Sequence, residues 1–158
     1  MTTTAEREIV VSRTIDAPRE LVFEAFTAVR HLSRWWGPEG FTTTTEAFEF
    51  RVGGEWVFVM HGPDGTDYDE HITWTEIAPP ERIALLHGES RDDPSAFESV
   101  LTFDPEGAGT RIEMRTLFPT RELRDEAVAK YHAVEGGRQT LAHLAAYVVG
   151  LLPTGVDS

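Results

Sequence analysis

The chain has 158 residues, no cysteine, and 14 Lys and Arg against 27 Asp and Glu, for a formal net charge of −13. That length suits one domain, 1–158, around a single core, with an ordered part of about 8–152. The missing thiols exclude disulfides, thiolate zinc sites and cysteine nucleophiles, and the acidic balance argues against a nucleic-acid backbone or an anionic membrane as partner. No window approaches a membrane span and residues 1–8 lack the apolar stretch of a signal peptide, so a cytoplasmic location is expected.

Residues 8–15 alternate, with Ile9, Val11, Arg13 and Ile15 on one face, which predicts a strand. Asp16-Ala17-Pro18 then supplies an N-cap acid and an early proline, and Leu21, Val22, Phe23, Ala25 and Phe26 form the apolar stripe of a helix. A second short helix is expected over 31–36, ended by Gly37-Pro38. From 42 to 118 the period is two, in segments 42–52, 55–61, 68–77, 82–87, 97–103 and 110–118. Turns separate them at Gly53-Gly54, Gly62-Pro63-Asp64-Gly65, Pro79-Pro80, the acidic loop 88–95 and Glu106-Gly107-Ala108-Gly109.

This parity turns Phe48, Phe50, Trp56, Phe58, Met60, Ile72, Trp74, Leu85, Leu101, Phe103, Ile112 and Met114 inward and Glu49, Arg51, Glu113 and Arg115 outward. Residues 121–152 then predict one long helix with Ala127, Tyr131, Val134, Leu141, Ala145, Val148 and Leu152 along its seam. Strands so amphipathic need a cover, and a sheet curled around that helix leaves a cavity between the two.

The candidate chemistry lies on the strands. Glu70 shares a face with Tyr68 and Trp74, and His87 shares one with Ile83 and Leu85, so both can point into the cavity as acid and base. Asp67, Asp69 and His71 leave their strand on the opposite side from Glu70, so no metal site is expected there. His31 and His132 fall on polar helix faces and are expected to be solvated, and Arg13 is expected in an ion pair. There is no Gly-x-Ser-x-Gly, no His-Glu-x-x-His and no phosphate loop, and no cofactor is expected.

Gly136 and Gly137 interrupt the last helix at a cost of about 1.5 to 2 kcal/mol relative to alanine. A kink, a close backbone approach or space for a ligand would each repay them, and space is the favoured reading. The pocket is expected to be lined by Trp35, Trp36, Phe48, Trp56, Phe58, Met60, Tyr68, Ile72, Trp74, Leu85, His87, Met114, Tyr131, Gly137 and Leu141.

Several strings stand in a linked order: Arg13-Thr14-Ile15-Asp16-Ala17-Pro18, Trp35-Trp36-Gly37-Pro38, Arg51-Val52-Gly53-Gly54-Glu55-Trp56, Gly62-Pro63-Asp64-Gly65, Glu76-Ile77-Ala78-Pro79-Pro80-Glu81-Arg82 and Gly109-Thr110-Arg111. Together they resemble the family named for the activator of heat-shock protein 90 ATPase, within the START-like (SRPBCC) superfamily. The resemblance implies an α+β helix-grip fold: a curved antiparallel sheet wrapped around a long C-terminal helix, with two short helices after the first strand. Glu49 stands where the family more often has Asp, and Gly136-Gly137 where it commonly has Gly-Trp.

The leading expectation is binding of a small hydrophobic or amphipathic molecule in the cavity, without chemistry. The alternative is an enzyme of the polyketide cyclase or dehydratase kind known in that superfamily, using Glu70 and His87. A chaperone cofactor is the weakest reading, because the family's co-chaperones carry a further N-terminal domain for which this length leaves no room. With no coiled-coil seam, a monomer or weak homodimer is expected.

Overall fold

A computed structural model describes residues 5–152. After a single 3-10 turn, β1 (Glu8–Ile15) leads into α1 (Arg19–Glu24) and α2 (Val29–Trp35). A meander follows of β2 (Thr42–Phe48), β3 (Glu55–His61), β4 (Asp67–Ala78), β5 (Arg82–Gly88), β6 (Phe97–Glu106) and β7 (Gly109–Leu117), and α3 (Arg121–Tyr131) and α4 (Ala133–Leu151) close the described chain. The seven strands form one sheet in the order β1-β7-β6-β5-β4-β3-β2, so the first strand pairs with the last. Every pairing is antiparallel.

Hairpin chemistry sets the registers. Gly65 donates to the Gly62 carbonyl at 3.0 Å and Asp64 accepts from the Thr66 N–H at 3.0 Å, which closes the β3–β4 turn and brings Trp56 opposite Ile72. Before β3 the chain must turn so tightly that a Cβ on Gly54 would stand 2.3 Å from the Glu49 carbonyl, which only glycine avoids. Gly53 and Gly54 exchange backbone bonds of 2.8 and 3.0 Å with Trp74, beside a register shift between Trp74 and Glu76. A second shift falls between Thr45 and Ala47, and such bulges curve a sheet.

The alternation holds across the sheet. Trp56, Phe58, Met60, Ile72, Trp74, Leu85, Leu101, Phe103 and Ile112 are buried, Phe48, Phe50 and Met114 pack half-buried against them, and Arg111 and Arg115 face out. The register is the expected one, with Arg115 paired outside the sheet to Glu8 at 2.9 Å.

Four local expectations change. The first meander strand stops at Phe48 instead of running to Val52, because Arg51 N–H turns back onto the Glu49 carbonyl at 3.1 Å. Asp16 is not a helix cap: Pro18 holds that position with no side-chain bond. Arg13 is exposed to solvent on β1. The C-terminal helix is two helices, broken at His132, whose left-handed backbone (φ 52°) ends α3 and starts α4 at once. Thr120 caps the start of α3 by accepting from Leu123 N–H at 3.1 Å.

The interior divides into two halves. Under α1 and α2, Phe23, Phe26, Trp35, Phe48, Phe50, Trp56, Trp74 and Phe103 form a continuous set of edge-on and tilted ring contacts 4.8 to 6.3 Å apart. Leu141, Leu144, Ala145 and Val148 of α4 seal that half. Under α3 and the first turns of α4 a void remains.

Candidate functional site: an acidic-mouthed cavity

That void is a cavity of about 530 Å³, inside the range of ~300–1,000 Å³ usual for small-molecule sites. β1, β7, β6 and β5 build its floor from Ile9, Val11, Met114, Leu101 and Leu85, all placed inward by strand parity. Two hydroxyls interrupt this apolar floor, Ser99 and Thr116, paired across β6 and β7 with their oxygens 3.3 Å apart. Trp36 and Pro38 form one wall. Their segment is strapped to α4, where Gln139 accepts from Glu39 N–H at 3.0 Å and His143 donates to the Gly37 carbonyl at 2.9 Å. Leu123, Glu126 and Ala127 of α3 form the opposite wall.

Of the residues expected to line the pocket, Trp36, Met60, Tyr68, Leu85, His87, Met114, Tyr131 and Gly137 border this cavity. Trp35, Phe48, Trp56, Phe58, Ile72, Trp74 and Leu141 do not. Phe48, Trp56, Phe58, Ile72 and Trp74 share the inward strand parity, and with Trp35 of α2 and Leu141 of α4 they are packed into the core instead. Trp35 Nε1 donates to the Ala25 carbonyl and Trp56 Nε1 to Thr45 Oγ1, both at 3.0 Å, so these indoles are anchored away from the void. Trp36 is the partition, its ring 5.1 Å from Trp56 on one side and 6.3 Å from His87 on the other.

Gly137 lies against the cavity, but its surroundings correct the reading of pure space. A Cβ there would meet Met114 Cε and Val11 Cγ2, each at 3.3 Å, so the glycine lets α4 approach β1 and β7 closely. Gly136 is freer, with only Pro38 Cβ near, at 3.8 Å. α4 runs on through both glycines, and the break falls at His132 instead.

Glu70 and His87 meet in the cavity. Ile72 stands opposite His87 in the β4–β5 ladder, which makes Glu70 a diagonal neighbour on the same face, and His87 Nε2 donates to Glu70 Oε1 in a short hydrogen bond. Both side chains are mostly buried, at 13% and 18% exposure. Phe97 flanks the imidazole at 4.8 Å between centroids, with Phe58 and Trp36 each at 6.3 Å.

At the open end stand Tyr68, Asp69, Glu89, Asp93, Glu126 and Tyr131. Asp93 folds the loop after β5 by accepting from Glu89 and Ser95 N–H at 2.9 and 2.8 Å. Arg91 of the same loop clasps the outer face of the sheet, its Nε 2.6 Å from Glu55, which also accepts from His71 at 2.8 Å. Arg91 first and His71 second hold the Glu55 carboxyl at about 2, against an ordinary 4.5. His71 thus serves a clasp beside Glu55, and among the described residues no group of three His, Asp or Glu side chains is gathered that could hold a metal.

His31 is not solvated as expected. It is 6% exposed and meets the Tyr147 hydroxyl at 2.6 Å through Nδ1, because α4 crosses over that face of α2. His132 is exposed at the helix break. Ser99 and Phe97 share strand parity with the inward Leu101, and Thr116 with the inward Met114; parity marks the face, and only the position of α3 shows that nothing fills the space above them.

A curved antiparallel sheet, a long C-terminal helix and a cavity between them define the helix-grip fold, a ligand-binding architecture. The sequence profile of the family described as Activator of Hsp90 ATPase homolog 1-like protein matches residues 16–149, and the chain belongs to that family. Solved structures agree in fold. A protein from Chromobacterium violaceum superposes with a TM-score of 0.78 at 25% identity, over 90% of this chain and 96% of that one. One from Arthrobacter aurescens gives 0.83 at 24% identity, over 98% and 91%. An AHSA1 protein from Silicibacter pomeroyi gives 0.73 at 21% identity, over 90% and 97%. No curated protein sequence matches the chain. Among the described residues no helix is long and apolar enough to cross a membrane.

Proposed function

We propose that the protein binds a small hydrophobic or amphipathic molecule in the cavity between its sheet and helices α3 and α4. The observation that carries this reading is the cavity itself: about 530 Å³ with an apolar floor, a mostly buried polar pair and an open end. A core of this size ordinarily packs without such voids, since each unfilled volume forfeits contacts. The ligand-binding character of the fold supports it, as does the net charge of −13, which disfavours nucleic acid and anionic membrane as partners. A cytoplasmic location and a monomer or weak homodimer are part of the proposal.

The test is displacement of a neutral dye, N-phenyl-1-naphthylamine, whose fluorescence rises in apolar sites. The wild type should bind it at micromolar concentration, and Ser99→Phe, which sends a ring into the cavity from its floor, should abolish binding while keeping the native near-UV circular dichroism. Unchanged dye binding by folded Ser99→Phe would move the site elsewhere.

One observation favours a second reading. Glu70 and His87 form an acid–base pair inside the cavity, as an enzyme acting by proton transfer would need. Native mass spectrometry of protein purified from its own host separates the two. An enzyme should retain a molecule of different mass in the wild type and in Glu70→Gln, whereas a carrier should retain the same one in both. A role as chaperone cofactor follows from the family's description alone.

A further inference from the structure

The residues around the cavity are lopsided in charge. Among the described residues, Asp69, Glu70, Glu89, Asp93 and Glu126 border it, and no Lys or Arg does. The cations beside the lining are committed elsewhere: Arg91 to Glu55 on the outer face, Arg7 to the Phe118 carbonyl, Arg124 to Asp125 and the Glu8 carbonyl, and Lys130 over the Tyr131 ring, 5.3 Å from its centroid. Glu70 is mostly shielded from water whereas Asp69, Glu89 and Glu126 are exposed, so its interaction with a charged guest is screened less than that of the exposed rim. A carboxylate or phosphate head entering here would lose water next to like charges, with no Lys or Arg in the described lining to replace it. A cationic head meets the opposite situation. Glu70 offers it a carboxylate, while Trp36, Phe97 and Tyr68, all bordering the cavity, supply aromatic rings of the kind that attract ammonium groups.

We infer that the cavity selects an amphiphile with a cationic head, an amine or quaternary ammonium on a hydrocarbon body, over its carboxylate or phosphate counterpart. The apolar body lies on the floor formed by Val11, Leu85, Leu101 and Met114, and the head stays near Glu70 under the acidic mouth. This inference rests on the ligand-binding reading and adds to it the charge class of the ligand.

The experiment displaces the neutral dye with three probes of equal chain length: decyltrimethylammonium, 1-decanol and decanoate, each below its micelle concentration. At low salt the cation should displace dye at about one-tenth the concentration decanoate needs or less, with decanol between them, and 0.5 M salt should narrow the ratio. Glu70→Gln should reduce the ratio several-fold, and Glu89→Gln with Glu126→Gln should reduce it further. Glu20→Gln, an exposed carboxylate on α1 away from the cavity, should leave it unchanged, which separates the cavity's field from the general attraction of an acidic protein for cations. The cavity-filled Ser99→Phe should bind none of the three. Equal displacement by all probes, or preference for decanoate, overturns the charge selection while leaving the binding reading intact. Failure of the wild type to bind the dye or decanol overturns the binding reading itself.

Discussion

Gly136 and Gly137 are neighbours on α4 with opposite surroundings. Alanine at 136 would meet only Pro38 at 3.8 Å, so Gly136→Ala should recover most of the glycine penalty and raise stability by about 0.5 to 1 kcal/mol in a urea titration. Alanine at 137 would press on stiff Val11 and on Met114 at 3.3 Å, so Gly137→Ala should gain less than its neighbour or lose stability. An equal gain at both positions would show that the close approach is not constraining. Glu55 makes a second residue-scale prediction. Its pKa is about 2 when folded against an ordinary 4.5, so what its ion pair contributes is complete above about pH 4.5 and is lost as pH falls towards the folded value. Arg91→Ala removes the larger cause. Its deficit in Tm relative to wild type should be steady above about pH 5 and narrow on acidification, and carboxyl NMR should find Glu55 titrating above its wild-type value. A deficit that grows as pH falls would contradict the clasp.

The break at His132 divides the C-terminal element between two tasks. α3 walls the cavity, while α4 seals the aromatic half and approaches β1 through Gly137. The left-handed backbone at φ 52° is strained for any residue with a Cβ, so His132→Gly should stabilise by up to about 1 kcal/mol, and His132→Val should destabilise by at least as much. If Val is tolerated as well as Gly, the two helices run on without this hinge. Within the sheet, Trp56 and Trp74 are both fully buried, yet only Trp56 Nε1 has a partner, Thr45 Oγ1. Exchange to phenylalanine removes similar volume from each, so Trp56→Phe should cost about 1 kcal/mol more than Trp74→Phe in denaturant unfolding, the difference being the lost hydrogen bond.

For the whole molecule, a cavity that binds only in the folded state links ligand to stability. At a hundred times its Kd a ligand adds about 2.7 kcal/mol, and for a chain of this size that corresponds to a rise in Tm of about 5 to 10 °C. Decyltrimethylammonium should produce such a shift in the wild type and none in Ser99→Phe. The sheet was legible in the sequence because its evidence is local: parity assigns a face to each residue, and the Gly- and Pro-bearing turns count the strands. The facing of Glu70 and His87 followed from the same parity, since each lies on a strand whose apolar neighbours declare the inside. Parity cannot say which stretch of an inward face is covered. Trp56, Trp74 and Phe48 carry the same local signal as Leu85, Leu101 and Met114, and it took α1 and α2 settling over the first group, and the break at His132 holding α3 above the second, to make one core and the other cavity. His31 shows the same limit, polar on its own helix and buried only because α4 crosses it. What a residue faces is written along the chain; what stands opposite it depends on long-range packing, which no single segment encodes.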